Sequence, residues 1–140
     1  MKKIQITATA IALMLAATFL VLWIHEKNNQ TDTMLLCQSS ASAATARFVE
    51  YKETGDESYY WAAISEFRAF QRAYWLLVED TNKSSNYTFL NEVYTSLIFE
   101  SEASRKHIEE IISVMSIIAN DINDPSGFSR MADLRNNIRE

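Results

Sequence analysis

The fold is decided by residues 57–79, which read ESYYWAAISEFRAFQRAYWLLVE. On a helix that turns about 100° per residue, large apolar side chains of this segment fall within about 40° on either side of the direction of Tyr60. They are Tyr60, Ile64, Phe67, Tyr74 and Val78, with Trp75 beside them. The pattern predicts an amphipathic helix whose buried face is unusually bulky.

The preceding segment has the opposite character, because residues 39–46 read SSASAATA and are all small. Protein cores fill space densely, so a helix of small side chains packs well against a helix of large ones. We therefore expect helices over about 33–53 and 57–79 to form an antiparallel pair. Gly55 would supply the left-handed C-cap of the first helix, and Asp56 the N-cap of the second.

Two further helices are predicted after this pair. Over residues 85–121, side chains of one face recur at alternating steps of four and three, the spacing of a helical bundle or coiled coil. The series is Leu90, Tyr94, Leu97, Ser101, Ser104, Ile108, Ile111, Met115, Ile118 and Ile122. Its two serines predict either contact with bulky rings of another helix, which we favour, or a weakly packed middle. Asp124 and Pro125 then begin a last helix over 125–139.

The composition excludes strand-rich folds, since the chain has only two glycines and one proline. Such folds depend on those residues at their turns. Residues 26–140 are long enough for one modest core and too short for two. We therefore predict an all-α fold in which an antiparallel three- to four-helix bundle follows the N-terminal segment.

That N-terminal segment is uncharged from Ile4 to Ile24, and a membrane-spanning helix needs about 20 mainly apolar residues. No small-residue pair follows the run, so an uncleaved signal anchor is favoured over a cleaved signal peptide. Lys2 and Lys3 place the N-terminus in the cytoplasm by the positive-inside rule. We predict a single-pass plasma-membrane protein, with residues 1–25 as cytoplasmic tip and transmembrane anchor and residues 26–140 as the extracytoplasmic bundle.

The charge balance of residues 4–140 is acidic. Eleven basic residues stand against eighteen acidic ones once Lys2 and Lys3 are set aside, which leaves about seven negative charges. Nucleic acids and anionic lipid surfaces attract clustered positive charge. We therefore expect no nucleic-acid partner, and membrane attachment only through the integral helix.

The sequence predicts no catalytic, metal-binding or cofactor-binding residue. The two histidines, His25 and His107, belong to no Glu-x-x-His pair of the kind that di-iron bundles use. Two isolated glycines cannot form a phosphate-binding loop. We predict a protein that is not an enzyme. The single cysteine, Cys37, is either a small buried apolar residue or forms an intermolecular disulfide between two copies.

The side of the 57–79 helix opposite its bulky face carries Ala62, Ala69 and Leu76 at seven-residue spacing, beside Ala73. These small side chains would let a further helix approach closely, which predicts an interaction surface. Alternatively, alanine is present only because it favours helix formation. The organisation is similar to that of small bacterial envelope proteins in which one N-terminal anchor carries an exterior helical bundle.

The function predicted from these features is that of a membrane-anchored, non-enzymatic helical interaction protein of the cell envelope. Its partner would be a second copy or another envelope protein. The alternative is a ligand-sensing helical bundle without its own output domain.

Overall fold

The computed structural model describes residues 2–79 and 84–139, with side chains described from Met14 onward apart from that of Ser84. All the regular elements in this part are α-helices, which confirms the all-α prediction. In chain order they are α1 (Lys2–Thr54), α2 (Glu57–Val78), α3 (Ser84–Phe99), α4 (Ser101–Lys106), α5 (Ile108–Asn120) and α6 (Pro125–Arg139). The break predicted between the helices over 57–79 and 85–121 falls mostly on residues 80–83, which lie outside the described ones.

The chain divides into two compact units, Met1–Asp32 and Thr33–Glu140, and α1 contains residues of both. Among the described residues, no helix combines the length and the apolar character that a membrane crossing requires. The anchor predicted over Ile4–Ile24 finds no support there and stays a prediction. The side chains of its residues 4–13 lie outside the described part.

The turn between α1 and α2 forms as the sequence predicts. Gly55 has a φ of +71°, in the left-handed region that suits glycine, and its N–H donates to the Tyr51 carbonyl at 2.7 Å. Asp56 has extended backbone, and its carboxylate accepts from the Ser58 N–H at 2.8 Å. This bond lowers the pKa of Asp56, because it favours the charged form. Both predicted caps are confirmed.

Helices α1 and α2 pack antiparallel across this turn. Near the turn, the ring centroids of Phe48 and Tyr60 lie 6.0 Å apart in an edge-to-face arrangement. Farther along, burial raises the pKa of Tyr74, and the nearby Cys37 of α1 makes a smaller contribution in the same direction. The small residues of α1 that are buried in the core are Cys37, Ser40, Ala41 and Ala44.

The bulky face of α2 forms the centre of the core. All five predicted residues are at most 5% exposed: Tyr60, Ile64, Phe67, Tyr74 and Val78. Phe67 stacks on Tyr94 of α3, with ring centroids 6.4 Å apart. The fully buried Gln71 donates from its amide to Asn91 of α3 at 3.0 Å, so its polar atoms do not oppose burial.

The single helix predicted over 85–121 is wrong, because the chain turns back on itself within this segment. On α6, Arg135 binds Glu92 of α3 at 2.7 Å, and Asn137, two residues later, binds Glu110 of α5 at 3.1 Å. A straight helix rising 1.5 Å per residue would separate Glu92 from Glu110 by about 27 Å.

The other end of α6 excludes a straight helix altogether. Phe128 packs on Tyr74, whose hydroxyl accepts from Asn86 of α3. The neighbouring Gly127 lies beside Ile118 of α5, although a straight helix would separate residues 86 and 118 by about 48 Å. Short helix α4 is therefore the connection between two legs, α3 and α5.

Helix α6 packs against both legs of this reversal and runs antiparallel to α5. Gly127, near its start, lies beside Ile118, whereas Asn137, near its end, lies beside Glu110. A Cβ on Gly127 would come within 2.7 Å of Ile118 Cγ1, so glycine permits the close approach of the two helices. In the described part, five long helices (α1, α2, α3, α5 and α6) thus replace the predicted three to four.

Candidate interaction surface

The outer face of α2 carries apolar side chains that the bundle leaves exposed. Trp61 is 48% and Leu76 65% exposed, and Ala69 between them is also exposed. At about 100° per residue, the three positions lie within about 80° of one another. We call Trp61, Ala69 and Leu76 the outer row. A small residue between two large ones gives this row a shallow notch at its centre.

The structure divides the four residues predicted for this surface. Ala69 and Leu76 are exposed and Ala62 is half-buried, but Ala73 is only 3% exposed and belongs to the core. Ala73 lies on the side of α2 that also carries Tyr59, about four turns earlier. There the Arg47 guanidinium of α1 lies over the Tyr59 ring, with 5.9 Å between Cζ and the ring centroid.

Charged side chains share the side of α2 that carries the outer row. Arg72 and Glu79 are exposed, and by the helical period both fall within the arc of the row, with Arg72 between Ala69 and Leu76 along the helix. Arg68 is held in place, since its guanidinium lies 4.8 Å from the Tyr94 ring centroid and also donates to Gln71. Protein interfaces commonly combine apolar and charged residues in this way.

Trp61 and Phe99 are exposed aromatic residues for which no role was predicted from the sequence. Trp61 lies outside the predicted bulky arc, which was a signal that it faces away from the core. Phe99, the last residue of α3, is 80% exposed. The helical period was a signal for this as well, because it places Phe99 about 200° from Leu97, on the side away from the predicted seam.

Cys37 is fully buried, and burial raises the pKa of its thiol to about 12. The thiolate is the reactive form of cysteine, so this group stays protonated and unreactive at neutral pH. A disulfide to a second copy would require α1 and α2 to separate first. The geometry thus favours the other predicted interpretation, a small apolar core residue.

His107 lies at the junction of α4 and α5, with its Nδ1 3.4 Å from Glu110 Oε2. This is a contact between neighbouring turns on the surface of the bundle. Within residues 2–79 and 84–139, no three His, Cys, Asp or Glu side chains are grouped so that they could hold a metal ion.

The sequence matches no family model, and neither a curated protein nor a solved structure matches the chain. The outer row and the apolar residues of the first unit are therefore the features on which a functional proposal rests.

Proposed function

We propose that this chain is a membrane-anchored, non-enzymatic interaction protein of the cell envelope, which binds a partner helix along the outer row of α2. The observation that carries the proposal is the exposure of Trp61 and Leu76 on either side of Ala69. When a partner removes large apolar side chains from water, the free energy of the complex falls by about 25 cal/mol per Å² of apolar area buried.

The outer row suits a helix better than a flat surface. Ala69 lets the backbone of a partner approach closely, and ridges of side chains from one helix fit into grooves of another. Trp61 would be the main anchor, because tryptophan is enriched among the residues that dominate binding energies. Arg72 and Glu79, beside the apolar residues, would pair with polar groups of the partner and contribute more to partner choice than to affinity.

The membrane anchor is proposed from the first unit. Its large apolar side chains from Met14 to Ile24 are each at least 46% exposed, and lipid would cover them. Lys27 Nζ lies 5.3 Å from the Trp23 ring centroid. A tryptophan paired with a lysine at the end of an apolar run is typical of the membrane–water interface.

Affinity capture from crosslinked membranes tests the partner. We expect wild-type protein to retain a specific envelope protein or a second copy, and Ala69→Glu to lose it while the melting temperature stays nearly unchanged. Ala46→Glu, on an exposed alanine of α1, is the matched control and should bind as wild type does. If Ala69→Glu unfolds the chain, or binds normally, the outer row is not the docking surface. A small molecule that raises the melting temperature without any captured partner would favour ligand sensing.

Cysteine labelling in intact cells tests the topology. A membrane-impermeant reagent should modify Asn136→Cys at the exposed C-terminal helix, whereas native Cys37 is buried and stays unlabelled. Lys3→Cys, on the predicted cytoplasmic side, should react only after the membrane is broken. The reverse pattern would place the bundle in the cytoplasm.

A further inference from the structure

The reversal through α4 has no stop signal in the sequence. Residues 84–123 contain neither glycine nor proline, the two residues that ordinarily end helices. The segment around α4 reads FESEASRKHI over residues 99–108; half of these residues are good helix formers, and none is a helix breaker. Buried positions also keep one helical register through the bend, since Leu97, Ser104 and Ile111 are all buried.

The bend is held instead by contacts with α2 and between its own turns. The backbone leaves helical geometry at Glu100, with φ −117° and ψ 40°. The Tyr60 hydroxyl donates to the Leu97 carbonyl at 2.9 Å. In a straight helix this carbonyl would instead accept from the N–H of Ser101. The Tyr60 hydroxyl thus takes the place of one helical backbone bond. Ser104 Oγ adds a second bond to the Ser96 carbonyl at 3.1 Å, and that carbonyl also accepts from the Glu100 N–H at 2.8 Å as in a regular helix.

The start of α2 supplies a second attachment. Arg105 of α4 forms an ion pair with Glu57 at 2.5 Å, and its guanidinium lies 4.6 Å from the Tyr60 ring centroid. Tyr60 is fully buried, which makes its hydroxyl a fixed partner. The bent form of residues 84–120 is thus stabilised by the fold around it, whereas its own sequence favours a continuous helix.

We infer that a second copy of this chain is a partner, and that two copies exchange α5 and α6 when α3, α4 and α5 straighten into one helix. Exchange of an identical element between protomers preserves the monomer's contacts and needs only the hinge to open. A continuous helix over 84–120 would be about 55 Å long. It would carry α5 and α6 away from their own α3 and deliver them to the partner's.

The exchange makes a specific set of contacts intermolecular. The α3–α6 ion pair of Glu92 with Arg135 would join two chains, as would the α1–α5 pair of Lys52 with Glu109 at 2.8 Å. By contrast, Asn137 and Glu110 travel together on α6 and α5 and stay within one chain. This difference separates an exchanged dimer from two intact bundles that touch at their surfaces.

A matched pair of substitutions at the hinge tests the inference. The full-length chain in mild detergent is unfolded and refolded at high and low protein concentration, and the dimer fraction is measured by light scattering. Alanine favours a continuous helix over glycine by about fivefold per residue. Because two chains straighten, the dimerisation constant of Glu100→Ala should exceed that of Glu100→Gly by about 25-fold. Equal constants for the two variants would overturn the inference.

Tyr60→Phe removes only the hydroxyl that binds the Leu97 carbonyl. We expect it to raise the dimer fraction, because the bend loses a hydrogen bond that the straight helix replaces with its own. Tyr51→Phe is the control, since the Tyr51 ring also packs on Tyr60, with centroids 5.2 Å apart. A dimer fraction that rises equally in both variants would contradict the assignment of the hinge.

Disulfide trapping identifies the exchange itself. Two differently tagged chains, both carrying Glu92→Cys and Arg135→Cys, are refolded together and oxidised, and bonds between tags are expected in the dimer fraction. Chains with Glu110→Cys and Asn137→Cys should link only within themselves. If the first pair impairs folding, Lys52→Cys with Glu109→Cys serves the same purpose. Bonds confined to single chains in a purified dimer would disprove the exchange, and Ala69→Glu should not affect it.

Discussion

The two reversals that meet at the same end of the bundle are built in different ways. Between α1 and α2, the signals are local, because Gly55 provides the left-handed backbone and Asp56 caps the next helix. Between α3 and α5, no residue of the turn ends a helix by itself. There the bend depends on Tyr60 and Glu57, which belong to α2. A turn with its own signal can form early, whereas a turn without one requires the surrounding fold.

Isolated peptides should separate the two reversals most clearly. In a helix-promoting solvent, a peptide of residues 84–123 should be one continuous helix through Glu100 and His107, because α2 is missing. A peptide of residues 40–72 should keep its break at Gly55. NMR chemical shifts of the Cα atoms report both. A break at residues 100–107 in the first peptide would show that its turn is encoded locally after all.

Phe67→Ala tests whether the aromatic face of α2, against which both reversals are packed, forms the core. Phe67 is fully buried and packs on Phe70 and Tyr94. We expect the free energy of unfolding to fall by about 3–5 kcal/mol, as for other buried phenylalanines. Denaturant titration measures this, with the exposed Leu76→Ala as a control that should change stability by less than about 0.5 kcal/mol. A loss below about 1 kcal/mol for Phe67→Ala would mean that the aromatic face is not the core.

Gly55→Ala tests the local signal of the first reversal. A Cβ would meet no atom within 4 Å, so any cost comes from the positive φ and not from crowding. We expect a loss of about 1–2 kcal/mol in the free energy of unfolding. Gly55→Asn should lose less, because asparagine tolerates left-handed backbone better. Equal losses for the two variants would argue against this explanation.

The smallest effect is expected for the pH dependence of the Asp56 cap. Its pKa is lowered by the bond from the Ser58 N–H, so its carboxylate stabilises the fold at neutral pH. That stabilisation is lost as the pH falls through the lowered pKa. Asp56→Asn keeps a capping oxygen that does not titrate. The melting temperature of wild type should therefore decrease more steeply on acidification than that of Asp56→Asn, and parallel curves would exclude a contribution from this carboxylate.

The candidate site was only partly predictable. Period and side-chain size placed Ala69 and Leu76 on the side of α2 away from the core, where the structure has them. The same reasoning placed Ala73 on this exposed side as well, because the helical pattern was interpreted with a core on one side of the helix only. A five-helix bundle covers α2 from more than one direction, and Ala73 is buried on a second side. Trp61 was overlooked, although its position outside the bulky arc indicated that it faces away from the core.

The sequence by itself determined the helical class, the first hairpin and the inward face of α2. Each depends on local chemistry or on a period within one helix, as with Gly55, Asp56 and the spacing from Tyr60 to Val78. Only the tertiary structure decided that residues 85–121 fold back through α4. The physical reason is that the bend has no local preference of its own. It exists because the Tyr60 hydroxyl binds the Leu97 carbonyl, which a continuous helix would pair with its own backbone, and because Ser104 and the Glu57–Arg105 pair add side-chain bonds that hold the bent form.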